Sequence, residues 1–214
     1  MRIPLASASV PYLVVSGMVT LVCWWGWRHT GHPVLSLGFG ILGVVGVLLF
    51  LSFAWFFRDP ERRIKRDPAL ILSPGDGTVV KIHRTGKDQT VEIFLAVWNV
   101  HLQRAPTAGS VKGVRFTQGA YLAAYDPRAG GLNTRCDTEF STARGPIGLT
   151  QVAGVVARRV ECWVKPGDRV GQGDRIGIIH MGSQLRLRLP RRARLLVGPG
   201  DAVRGGITPI AKWR

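Results

Sequence analysis

Leu185-Arg186-Leu187-Arg188-Leu189 alternates leucine with arginine. Side chains on a strand point to opposite faces with period two, so three leucines share one face and two guanidiniums the other. A helix would scatter those leucines around its circumference. The stretch therefore reads as a strand with one face in a core and one in water. Working outward, residues 90–97 alternate in the same way, with Val91, Ile93, Leu95 and Val97 on one side. Residues 78–83 form a short strand after the turn Pro74-Gly75-Asp76-Gly77, and residues 175–180 form another after the glycine turns within 165–174. Residues 152–164 are rich in valine, with Gly154 expected as a bulge. Residues 126–145 show no period and are expected to form a loop or lid. Many short strands and no long amphipathic helix predict a mainly β body, barrel-like or sandwich-like.

The first 57 residues are of another kind. They hold only two charges, Arg2 and Arg28, among 29 basic and 13 acidic residues in the chain. Residues 10–27 and 34–57 are uncharged runs of 18 and 24 residues. As helices they reach roughly 27 and 36 Å, against a hydrocarbon core of about 30 Å. The polar turn Arg28-His29-Thr30-Gly31-His32-Pro33 lies between them, and Trp24, Trp25, Trp27 and Trp55 sit near the run ends, as interfacial aromatics do. The pattern predicts a transmembrane hairpin over 1–57, followed by a soluble domain over 58–214; a hairpin buried in a protein core is the plainer alternative. A cleaved signal peptide fits poorly, because the apolar run is long and the charged leader thin. Arg58, Arg62, Arg63, Lys65 and Arg66 follow the second run, which puts the soluble domain on the cytoplasmic side of the cell membrane.

Composition narrows the partners. Residues 58–214 carry a formal charge of +14, which suits an anionic membrane surface or nucleic acid. With 8% aromatic residues, several of them in the apolar runs, stacking platforms are few, and no nucleic-acid partner is expected. Cys23, Cys136 and Cys162 are too few for a disulfide framework and favour a reducing compartment. Cys136 and Cys162 have no His or Cys near them in sequence, so neither metal binding nor catalysis is expected of them. The five histidines, His29, His32, His83, His101 and His180, are scattered rather than spaced as metal ligands. There is no nucleophile elbow, zincin motif, P-loop or Cys-x-x-Cys. Homo-oligomerisation is left open.

Four segments carry a resemblance: Phe56-Phe57-Arg58-Asp59-Pro60-Glu61-Arg62, Ser73-Pro74-Gly75-Asp76-Gly77, Asn99-Val100-His101-Leu102-Gln103-Arg104-Ala105-Pro106, and Gly182-Ser183. In this order, with Gln151-Val152-Ala153-Gly154 and Lys165-Pro166-Gly167-Asp168, they resemble the phosphatidylserine decarboxylase family in its short membrane-anchored branch. The likeness spans residues 55–211. It implies conversion of phosphatidylserine to phosphatidylethanolamine and CO₂ by a carboxy-lyase. The cofactor implied is a pyruvoyl group made from Ser183 when the chain cleaves itself between Gly182 and Ser183, giving chains 1–182 and 183–214 that stay together. The substrate amine would form a Schiff base with that group.

The residues are compatible with this chemistry. A serine hydroxyl can attack the preceding glycine carbonyl, which has no Cβ to obstruct it. If the strand at 185–189 extends back, Ser183 shares the parity of the leucines, and a hydroxyl on that face needs a polar partner. A serine that merely caps a turn fits the local pattern as well. The resemblance makes His101 the candidate base and general acid, Asp76 the group that orients its imidazole, and Arg104 a contact for the anionic headgroup. Longer members of the family have a further histidine where this chain has Arg104. Arg58, Arg62 and Arg63 are expected to meet lipid headgroups. A non-catalytic lipoyl- or biotinyl-like module, suggested by the glycine hairpin at 166–173, is the alternative function, weakened by the lack of a lysine at a hairpin tip.

Overall fold

In the computed structural model the described residues are 5–122, 128–154, 159–180 and 183–214. The chain divides into two compact units, Met1–Pro60 and Glu61–Arg214.

The first unit is a pair of helices, α1 (Val10–His29) and α2 (Pro33–Phe56). Each opens with a proline in its first turn, where a missing N–H leaves no bond unmade. Small residues let the helices approach. A Cβ on Gly26 would stand 2.9 Å from the Phe39 ring, and one on Gly46 would stand 2.5 Å from Thr20 Oγ1. Hydroxyls are satisfied within their own helices: Ser16 donates to Tyr12 O at 2.7 Å and Thr20 to Ser16 O at 2.8 Å. Most of the remaining Val, Leu and Trp side chains are exposed. Both helices are long and apolar enough to cross a membrane.

The second unit is mainly β, as the alternation predicts. Its strands are β1 (Leu70–Leu72), β2 (Gly77–Thr85), β3 (Asp88–Leu95), β4 (Leu102–Arg104), β5 (Gly109–Thr117), β6 (Arg135–Thr142), β7 (Gly145–Ala153), β8 (Val160–Cys162), β9 (Arg169–Val170), β10 (Arg175–Ile179), β11 (Ser183–Pro190), β12 (Arg194–Leu195), β13 (Ala202–Val203) and β14 (Pro209–Lys212). A curled eight-stranded antiparallel sheet runs β13-β2-β3-β11-β7-β6-β5-β9. Two three-stranded sheets, β4-β10-β8 and β1-β14-β12, complete the body.

The leucine-arginine alternation runs through the centre of the large sheet. Leu185, Leu187 and Leu189 are fully buried, with Leu185 opposite Ile93 and Leu187 between Val91 and Leu149. Burying one such side chain is worth about 1.5–3 kcal/mol, and these leucines pack with Val91, Ile93, Leu95, Ile147 and Leu149 in one cluster. On the other face Arg186 pairs with Glu92 at 3.0 Å, and Arg188 bridges Asp88 at 3.1 Å and Glu139 at 2.9 Å.

Three expectations are corrected. The segment 126–145 is not all loop: β6 crosses it, burying Cys136, Thr138 and Phe140 on alternate positions. Two of those three are not strongly apolar, so the period is muted in the sequence. Val97 is exposed, because β3 ends at Leu95 and the chain turns. Gly154 is no bulge: β7 stops at Ala153, and residues 155–158 of the valine-rich stretch lie outside the described residues.

Candidate active site

The turn Ser73-Pro74-Gly75-Asp76-Gly77 is pinned from several sides. Ser73 Oγ donates to Gly75 O at 2.6 Å. A Cβ on Gly205 would lie 2.9 Å from Gly75 Cα, so only glycine allows the 205 backbone this close. The main chain of Arg104 donates to Pro74 O at 2.8 Å, which sets the 99–106 segment against this turn. A Cβ on Gly75 would touch Leu185 Cδ1, so the turn also rests on β11.

Asp76 is not where the sequence reading expects it. Its carboxylate receives both ends of the Arg62 guanidinium, at 2.6 and 2.8 Å, and the Gly205 N–H at 2.7 Å. A bond to His101 is not among its contacts. Arg62, expected at lipid headgroups, is instead held inside this cluster, with its side chain 11% exposed. Arg58 stays over the Trp55 ring, 4.3 Å from the centroid.

His101 is fully buried, and its ring meets a main-chain carbonyl. Its Nδ1 lies 3.0 Å from Asn99 O. A carbonyl can only accept, so Nδ1 carries the hydrogen and Nε2 is the basic nitrogen. Asn99 is itself fixed by a tight turn, in which its Oδ1 accepts from Ala96 N at 2.9 Å. His101 O accepts from Ile179 N at 3.2 Å and from Gln103 Nε2 at 2.5 Å. These bonds place His101 beside the strand that runs toward residue 183.

Ser183 opens β11, with its backbone in register with Leu95 on one side and Ala153 on the other. Gly182 and the Ser183 side chain lie outside the described residues. Both register partners are fully buried. Asn133, also fully buried, donates to Ala153 O at 2.8 Å and brackets Leu122 through its N–H and C=O, bracing the strand end opposite 183. Nothing in the sequence singles out Asn133, because its role depends on residues 11 and 20 positions away.

His180, left unassigned by the sequence reading, is buried and sits at the end of β10. Its Nε2 lies 3.2 Å from Glu161 Oε1. Burial holds this imidazole below its usual range, with the Glu161 carboxylate opposing. A second buried link joins the sheets: Gln151 of β7 donates to Gln103 Oε1 of β4 at 2.8 Å.

Arg104 is buried, and its Nη1 donates to Gly173 O at 3.0 Å. With Arg62, Arg66 and Arg175 it lines a hollow of about 440 Å³ that also contains Glu61 and Asp174. The side chains expected to act thus fall into two groups. His101 bonds through its main chain to β10, whereas Asp76 is clasped by Arg62, which shares the hollow with Arg104. Cys162, far from β6 in sequence, is brought against it: its sulfur stands 3.8 Å from Thr138 Oγ1 and donates to Val164 O at 3.4 Å. Among the described residues no cluster of three metal-ligating side chains occurs.

Comparison with known proteins points to one family. Residues 49–211 match the family model for phosphatidylserine decarboxylase. The chain is 35% identical to the phosphatidylserine decarboxylase proenzyme of Desulfotalea psychrophila, over 99% of this chain and 97% of that one. It is 40% identical to the proenzyme of Symbiobacterium thermophilum over 87% and 93% of the two chains, and 33% identical to that of Syntrophus aciditrophicus over 98% and 97%. The non-catalytic lipoyl-like reading finds no support among them. Similarity of this extent takes in the two-helix unit, the 73–77 and 99–106 segments and the strand opened by residue 183, and on that ground the chain belongs to the phosphatidylserine decarboxylase family.

Proposed function

We propose that this protein is a phosphatidylserine decarboxylase that matures by breaking its own Gly182–Ser183 bond, and that it works at the cytoplasmic face of the cell membrane, held there by residues 1–57. The observation that carries the reading is the bond from Ile179 N to His101 O. It holds the main chain of His101, a buried residue with a defined basic nitrogen, against β10, the strand that precedes residue 183, and so supports the reading.

In the first step Ser183 Oγ bonds to the Gly182 carbonyl carbon, and His101 Nε2 takes the hydroxyl proton. The Gly182–Ser183 C–N bond then breaks, and the amine takes up a proton. Loss of the residue 183 α-hydrogen expels the Gly182 carboxylate and leaves a dehydroalanine; water then releases ammonia, leaving a pyruvoyl cap. The surroundings suit such a cap, since Leu95 and Ala153 on either side are dry and apolar. Bound there, the group supplies an electron sink for the pair left behind by CO₂. His101 is suited to return a proton to the substrate α-carbon. Asp76 acts at one remove, as a positioning residue: clasped by Arg62, it fixes the turn whose Pro74 O receives the Arg104 N–H. Arg104 and its neighbours in the hollow suit an anionic headgroup.

The chains produced by cleavage are expected to stay together. β11 lies between β3 and β7 and contributes its leucines to the core, so residues 183–214 remain bound without the peptide link. A diacyl lipid leaves a bilayer reluctantly, which gives the two apolar helices a purpose.

Intact mass and a denaturing gel of purified protein test this. Two fragments divided before residue 183 are expected, the shorter one blocked to Edman degradation. Ser183→Ala should give a single 23.4 kDa chain that releases no CO₂. An uncut native chain that still decarboxylates would overturn the mechanism.

A further inference from the structure

The antiparallel register gathers several strand ends at one end of the eight-stranded sheet. β3 finishes there at Leu95, β11 opens at Ser183 and β7 finishes at Ala153, all three in one row. β6 enters at Arg135, opposite Val152, and β5 leaves at Thr117, opposite Arg135. The segment 119–122 closes on the same end: Ala120 N donates to Leu132 O at 2.7 Å, and Asn133 holds both Leu122 and Ala153.

This end is apolar where it meets solvent. Past Leu95 the chain makes a turn closed by two bonds, Asn99 N to Ala96 O and Ala96 N to Asn99 Oδ1, each 2.9 Å. The turn displays Val97 and Trp98, which are 58% and 72% exposed. Phe116, Tyr121 and Leu132 are exposed as well. Among the described residues of the second unit these are five of the nine large apolar side chains left exposed, and the other four come from separate parts of the chain. Apolar side chains gathered in this way mark a surface that meets a partner.

The partner that suits this end is a lipid surface. Residues 58–214 carry +14, which draws the unit to anionic headgroups. A second copy of the chain would set that charge against its own. Both helices of the first unit are long and apolar enough to hold the chain at a bilayer. Tryptophan favours the level between headgroups and acyl chains, where its ring is dry and its N–H stays wet.

We propose that this end of the sheet docks on the membrane, with Val97 and Trp98 inserted at the boundary between headgroups and acyl chains. A headgroup then reaches residue 183 while its tails stay in the bilayer. Asn99 links the docking turn to the site: its side chain closes the turn that carries Trp98, and its carbonyl receives His101 Nδ1 at 3.0 Å. Delivery of substrate to residue 183 rests on the decarboxylase reading, but docking does not.

The full chain, as wild type and as uncleavable Ser183→Ala, is reconstituted in phosphatidylcholine–phosphatidylglycerol vesicles. These also contain a phosphatidylcholine with a diazirine near the glycerol end of one tail. After photolysis, lipid adducts should map to 96–99 and 119–122 as well as to residues 1–57, in both proteins. Trp98→Glu should lose the adducts at 96–99. Cleaved Trp98→Glu should turn over vesicular phosphatidylserine about tenfold more slowly, and monomeric dihexanoyl phosphatidylserine close to the wild-type rate. Lys87→Glu, in the exposed hairpin at the opposite end of β3, shifts the charge further and should change neither rate. Adducts confined to 1–57, or a rim cross-linked to a second copy and closed to lipid, would overturn docking. Equal slowing of both substrates by Trp98→Glu would overturn it too, since the turn would then serve only to hold His101. Adducts at the rim of a wild-type protein that decarboxylates neither substrate would sink the decarboxylase reading and leave docking standing.

Discussion

Arg62 grips Asp76 with both ends of its guanidinium, Nη1 to Oδ1 at 2.6 Å and Nη2 to Oδ2 at 2.8 Å, while Nη1 also donates to Gly205 O. The pair ties residues 14 positions apart to a turn near the far end of the chain. Arg62→Ala strands a nearly buried carboxylate and should destabilise the second unit by about 3 kcal/mol, roughly 6–12 °C in melting temperature. Arg62→Lys keeps the charge but loses the fork, and should fall between. Melting in detergent decides; an unchanged transition for Arg62→Ala would show that the pair contributes nothing.

His101→Ala should slow cleavage before residue 183, turnover of material already cleaved, or both. The lost general acid–base contribution is about 10²–10⁴-fold. Timed gels follow the first and CO₂ release the second. Wild-type rates in both assays would remove His101 from the site.

Gln151→Leu should cost about 1–3 kcal/mol, because it leaves Gln103 Oε1 buried without its donor. The double variant Gln103→Leu/Gln151→Leu should recover part of that loss. The coupling is read from a double-mutant cycle in denaturant, and strict additivity would mean that the two amides do not interact.

His180 gives the fold an acid limb. Burial lowers its folded pKa below the unfolded value of about 6.5. The unfolded chain therefore binds the extra proton first. The stability His180 contributes is complete above about pH 6.5 and declines as pH falls toward the depressed value. His180→Gln should flatten the melting temperature across that window, and a slope equal to wild type would assign the acid limb to other groups.

Periodicity made much of the architecture legible. Alternation over 185–189 and 90–95 marked two central strands because each has one dry face, and runs of 18 and 24 uncharged residues marked the helices. β6 escaped notice because its inward side chains include Cys136 and Thr138, residues a hydropathy pattern does not separate from their neighbours. The site was legible only as a set of segments. The resemblance brought forward Asp76, His101 and Arg104, but their partners include Arg62, Asn99 and Gly173, which no spacing rule joins to them.

Local pattern fixed the type of each long element, since whether a side chain lies inward or outward depends on neighbours two or four residues away. Which groups touch was decided by strand register and by close main-chain approaches such as Gly205 on Gly75. Those bring together residues separated by as many as 143 positions, among them Arg62 with Gly205 and Thr138 with Cys162. A hydrogen bond acts only over about 3 Å, so such pairings exist only once the sheets have closed around the core.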